Sequence, residues 1–140
     1  PAAFQFAYAY RLFCDNGVLV DGRSGAFGDE LRGIGRRDIL IAVGAKPYIR
    51  DTVRAVEYAR SQHCPVIAVT DSDVSPIAVN ARTTLVARDT SQSFFQSFTA
   101  ALSVMQALVA LLVARGGPKA LQRIAAAEEQ LAVFDTYLED

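Results

Sequence analysis

The chain has 140 residues, of which 51% are hydrophobic, and 14 basic against 15 acidic side chains leave a formal charge of −1. That length suits one domain with a sizeable core, and the balanced charge, with no basic run or basic-aromatic interleaving, excludes a nucleic-acid footprint on this chain. Cys14 and Cys64 lie far apart in unrelated contexts, which excludes a disulfide scaffold and a cysteine metal site and indicates reduced thiols in a cytoplasmic protein.

Taken in chain order, Phe6, Tyr10 and Phe13 fall at i, i+4 and i+7 and predict an amphipathic first helix stopped by Asp15-Asn16-Gly17. Residues 18–20 (VLV) follow as a short strand, and Phe27, Leu31 and Ile34 predict a short helix. Residues 39–43 (ILIAV) form an unbroken apolar run, the pattern of a strand covered on both faces of a parallel sheet. A helix over residues 52–61 buries Val53, Val56 and Ala59, and residues 65–70 (PVIAVT) are a second buried strand. Ser75 as a cap with Pro76 at the first helical position predicts a short helix over residues 75–81. Residues 84–87 are the last strand, and a long helix runs from about residue 91 to 115. Gly116-Gly117-Pro118 ends it and begins another, with Leu121, Ile124, Leu131, Phe134 and Leu138 as its apolar stripe.

The segment 90–114 has no charged residue and approaches the length of a bilayer span. Ser91, Gln92, Ser93, Gln96, Ser97, Thr99, Ser103 and Gln106 interrupt it, so the expectation is no membrane but a helix covered nearly all round, in part by a second chain.

Alternating strands and helices with short connections predict an α/β fold with a doubly wound parallel sheet, whose ligands bind beyond the carboxyl ends of the strands. Loops 44–49, 71–75 and 88–93 meet there. The single imidazole, His63, sits at a helix-to-strand junction before Cys64 and Pro65, where a helix-end role near the C-terminal dipole fits better than catalysis. No metal or cofactor is expected.

Residues 38–86, DILIAVGAKPYIRDTVRAVEYARSQHCPVIAVTDSDVSPIAVNARTTLV, resemble the SIS (sugar isomerase) domain, in particular the version carried by RpiR/MurR-type transcription regulators. The most specific part is PVIAVTDSDVSPIA, residues 65–78, similar to that family's strand, turn and "SPLA" helix start; SQSFFQSFTAAL and the glutamate-rich final helix extend the likeness over nearly the whole chain. The resemblance implies a flavodoxin-like, three-layer αβα sandwich filling residues 1–140 as one domain, with the family's first strand missing from this chain. It also implies that the natural protein extends N-terminally into a helix-turn-helix domain.

In that family the turn after this strand reads Ser-x-Ser-Gly-x-Thr, and its hydroxyls hold a sugar phosphate. Here Gly44 and Lys46 stand for the serines, Pro47 for the glycine and Ile49 for the threonine, so all three hydroxyls are gone. Losing them removes roughly 1.5 to 3 kcal/mol per charged hydrogen bond. Either Lys46 and Arg50 restore an anion site by charge, or Pro47 merely starts a helix, with Lys46 solvated and Tyr48 packed on the sheet edge. Thr70, Asp71 and Ser72 meet a sugar or cap their loop; Ser91 and Ser93 contact the ligand or cap the long helix. The implied ligand-binding set is Gly44, Ala45, Lys46, Tyr48, Arg50, Thr70, Asp71, Ser72, Ser91 and Ser93, with no catalytic residue. Glu128 and Glu129 match the position of a proton-transfer glutamate or form a solvated helix face.

The resemblance implies a non-enzymatic effector-binding domain for a phosphosugar or related acidic carbohydrate, dimeric or tetrameric through the 91–115 helix. An isomerase-like enzyme and a structural dimerisation module with a decayed site are the alternatives.

Overall fold

The computed structural model describes residues 1–23, 25–88, 90–91 and 94–136. Residues 20–104 with Ala2 form one compact unit, and residues 1, 3–19 and 105–140 form another.

The first unit is built on a sheet. Strands β1 (Leu40–Gly44), β2 (Val66–Thr70) and β3 (Thr83–Val86) run parallel in the order β1-β2-β3. Leu40 pairs with Val66 and Gly44 with Thr70; Ile67 pairs with Thr83 and Thr70 with Val86. The α/β class and the parallel sheet read from the sequence are those of the structure. β2 has a neighbour on each side and buries Val66, Ala68, Val69 and Thr70. In β1 only Ala42 is buried and the preceding Ile39 is exposed, because β1 has a partner on one side among the described residues.

Helix α3 (Arg50–Ser61) packs on β1 and β2 and inserts Val56 and Ala59, both fully buried, with Ala55 beside them. The core joins them to Ala42, Cys64, Val66, Ala68, Ile77 and Ala78. Four of these eight are alanines, so the helix lies close on the sheet and Ile77 supplies much of the volume. Burying a side chain of that size contributes about 1.5–3 kcal/mol. The C-terminus of α3 closes as a Schellman turn: Cys64 N–H donates to Ala59 O (2.9 Å), His63 N–H donates to Arg60 O (2.9 Å), and His63 takes φ 60. That is the helix-end role expected for His63.

Several elements differ from the sequence expectation. Residues 18–20 form no strand; with no neighbour to pair with, three residues make too few ladder bonds to persist. Residues 75–81 make one helical turn, with Ala78 N–H donating to the Ser75 carbonyl (2.9 Å) and hydroxyl (3.2 Å), but Asn80 at φ 58 leaves helical space and ends it. The cap and the proline are present, and propagation fails three residues later. Helix α2 (Phe27–Glu30) is short, as expected. Helix α3 begins at Arg50, so Pro47 is not its first residue.

The long helix α4 (Thr99–Val133) starts about eight residues later than expected. Among residues 91–98 three phenylalanines and three serines lower helix propensity, and the Ser97 hydroxyl accepts from Thr99 N–H (3.4 Å) where the helix opens. Ser91 therefore lies eight residues before the first residue of α4. Gly117, at φ 58 and ψ −145, breaks the helical path at the predicted stop, and a Cβ on Gly116 would come within 2.7 Å of the Ala120 Cβ.

In the second unit α1 (Ala2–Arg11) carries a ladder of rings, Phe6 stacked on Tyr10 (5.8 Å) and Tyr10 edge-on to Phe13 (5.3 Å). Tyr10 Oη donates to Asn16 Oδ1 (2.9 Å), and Arg123 Nη1 donates to Phe13 O (3.1 Å). Of the C-terminal stripe, Ile124 and Leu131 are half-buried and Leu121 and Phe134 exposed; Leu138 lies outside the described residues.

Candidate functional site

The carboxyl ends of β1 and β2 bring three of the sequence-predicted residues together. Tyr48, in the turn between β1 and α3, donates its hydroxyl to Asp71 Oδ1 (2.8 Å), and Thr70, the last residue of β2, donates to the same oxygen (3.1 Å). Burial alone would raise the Asp71 carboxyl, but hydrogen bonds from Tyr48, from Thr70 and from the backbone N–H groups of Asp71 and Lys46 outweigh it and hold the group below its ordinary value. Burial, then the facing carboxylate, pushes the Tyr48 phenol up. The turn that lacks serines thus carries a hydroxyl after all, on Tyr48, and turns it toward a carboxylate that this chain supplies.

Beyond that contact lies a cavity of about 730 Å3 lined by Asp71, Ser72, Asp73, Val86, Arg88 and Thr90. It opens past the ends of β2 and β3, where a parallel sheet places its ligands. The lining carries two carboxylates, two hydroxyls and a guanidinium, the mixture that takes a polyhydroxylated molecule with an anionic group.

The remaining predicted residues are dispersed. Gly44 and Ala45 are half-buried at the end of β1; a Cβ on Gly44 would meet Ile77 Cδ1 at 3.4 Å, ordinary contact, so this glycine is not required sterically. Lys46 is exposed and outside the cavity lining, Arg50 is exposed at the start of α3, and Ser91 is exposed and also outside the lining. Ser93 lies outside the described residues. Asp73, Val86, Arg88 and Thr90 were not singled out by residue, although loops 71–75 and 88–93 were. The signal for Arg88 was present, a cation two residues past the end of a parallel strand.

His63 precedes β2 and the cavity follows it, so a five-residue strand, about 17 Å, separates the imidazole from the site. No three His, Cys, Asp or Glu side chains gather in a metal-ligating group among the described residues.

A family profile for the SIS domain matches residues 1–111. The chain belongs to the SIS domain family. Among solved structures, this SIS domain is similar to the sugar isomerase domain of an RpiR transcription factor from Sphaerobacter thermophilus, with a TM-score of 0.76, 24% identity, 91% of this chain and 72% of that chain covered. It is also similar to the Vibrio vulnificus NanR protein complexed with ManNAc-6P, with a TM-score of 0.75, 18% identity and coverage of 96% and 53%; the SIS domain spans about half of that chain. Both likenesses establish the fold. No curated protein matches the sequence. The cavity lies beyond the carboxyl ends of β2 and β3, and its described lining includes no residue of the 44–49 turn.

Proposed function

We propose that this SIS domain is the non-enzymatic effector-binding domain of an RpiR-type transcription regulator, cytoplasmic and soluble, and that it senses a phosphosugar or related acidic carbohydrate. The observation that carries the reading is the cavity beyond β2 and β3, which offers acceptors, hydroxyls and one guanidinium but no imidazole to move a proton between sugar carbons. The RpiR and NanR likenesses support it at the level of fold, and NanR was captured with a phosphosugar. In such a regulator a separate helix-turn-helix domain reads DNA, and ligand binding here shifts a population that the partner domain senses.

The same reading makes the domain a homodimer or a dimer of dimers. Helix α4 is long and apolar enough to cross a membrane, yet Ser103 and Gln106 punctuate it and Gly117 breaks it. Of its large apolar side chains on residues 102–113 only Met105 is buried, while Leu111 is 66% exposed. A second copy covering this face accounts for the pattern, and two-fold symmetry matches a regulator of palindromic sites.

The test is thermal unfolding of the chain against sugar 6-phosphates, sugar acids and the matching neutral sugars, with the same mixtures assayed for aldose-ketose conversion. A ligand at 100 times its Kd raises stability by about 2.7 kcal/mol. A shift with an acidic sugar and no conversion supports the sensor; conversion replaces it with an enzyme; no shift with any compound leaves a structural module, which the lost serine hydroxyls would suit.

A further inference from the structure

We propose that Arg88, and not the 44–49 turn, anchors the anionic group of the ligand, while the Asp73 carboxylate accepts hydroxyls from its sugar part. The proposal rests on the sensor reading and gives the ligand a direction within the cavity. Among the described residues that line the cavity Arg88 is the one cation; Asp71 and Asp73 bring two negative charges. A phosphate or carboxylate entering alone meets net negative charge, so its place is against the guanidinium and away from the two acids. Arg88 is exposed, has no ion-pair partner among the described residues, and its planar fork matches two oxygens of a phosphate or carboxylate at once.

The 44–49 turn is unsuited to the same task. Its hydroxyl, on Tyr48, is given to Asp71, the Lys46 backbone N–H is directed to the same carboxylate, and the Lys46 side chain stands outside the lining. An anion placed there would displace or face Asp71. An ionised carboxylate is an acceptor only, with about four lone-pair sites; four donors already point at Asp71, so ligand O–H groups fall to Asp73, which likewise refuses phosphate oxygens. Val86, 45% exposed and in the lining, offers an apolar surface for the C–H face of a sugar ring. The cavity therefore favours molecules carrying both hydroxyls and an anionic group over either feature alone.

The experiment compares the full chain with Arg88→Gln and Lys46→Gln by calorimetric titration. The probes are N-acetylmannosamine 6-phosphate, glucose 6-phosphate, their unphosphorylated sugars and inorganic phosphate, and circular dichroism checks that each variant is folded. The expected result is a sugar phosphate whose Kd rises at least about tenfold in Arg88→Gln and stays within about twofold in Lys46→Gln, with inorganic phosphate much weaker. Loss of binding in Lys46→Gln with Arg88→Gln unaffected overturns the assignment and leaves the sensor reading standing, as does unchanged binding in both variants. A wild-type chain that binds none of the sugar phosphates overturns the assignment together with the reading beneath it.

Discussion

Tyr48 and Asp71, 23 residues apart in sequence, are joined by a 2.8 Å hydrogen bond that ties the turn after β1 to the end of β2. The bond fixes the pH window in which the site is held together. Asp71 lies below its ordinary value of 3.8, so its contribution is fully present above that value and is lost as the pH falls through the lowered one. Tyr48 lies above its ordinary value of 10.0, so its contribution is present below that value and is lost as the pH rises through the raised one. Tyr48→Phe should cost about 1 kcal/mol between these limits. The gap between wild type and variant should close at the acid end of a urea-unfolding series; a gap that persists in strong acid would remove Asp71 as the partner that matters.

Ile77 is fully buried, among a core otherwise rich in alanine. Small neighbours held on strands and a helix cannot collapse into a void, so Ile77→Ala should lose about 3 kcal/mol or more, measured by chemical unfolding. A loss under 1 kcal/mol would mean that the turn after β2 repacks freely.

His63 holds a left-handed conformation at the end of α3, φ 60, with its side chain exposed. His63→Gly should raise stability by about 0.5–1 kcal/mol, since glycine adopts that conformation without strain. It should leave ligand affinity unchanged, because the residue lies at the far end of β2 from the cavity. A change in affinity would contradict the separation of the imidazole from the site.

Leu111 projects from α4 with two-thirds of its surface exposed. Leu111→Asp should reduce the mass measured by light scattering to that of a single chain while circular dichroism stays helical. A wild-type chain already monomeric at micromolar concentration would dismiss the dimer.

What could be read in advance follows the range of the interactions involved. The strands at residues 40–44 and 66–70 and the helix between them announce themselves because periodicity and unbroken apolar runs are local signals. The cap at Ser75 is legible but propagation is decided further on, by Asn80, whereas the start of α4 is displaced to Thr99 by clustered phenylalanines, away from the serines that a cap signal points to. Residues 18–20 carry strand composition, and composition says nothing about whether a neighbour exists. In the site, the family pattern directs attention to Lys46; the meeting of loops 71–75 and 88–93 follows from the alternation of strands and helices, whereas the Tyr48–Asp71 contact joins residues 23 apart and has no local signal.

The strand order has a further consequence for how the cavity responds to an occupant. β2 cannot leave the sheet without breaking two ladders, whereas among the described residues β3 is held by one. Asp73 follows the strand that opens last and Arg88 one that frays early. A molecule grasped by both would act as a staple across that difference, quieting the edge strand and converting occupancy into rigidity even where no atom has travelled far.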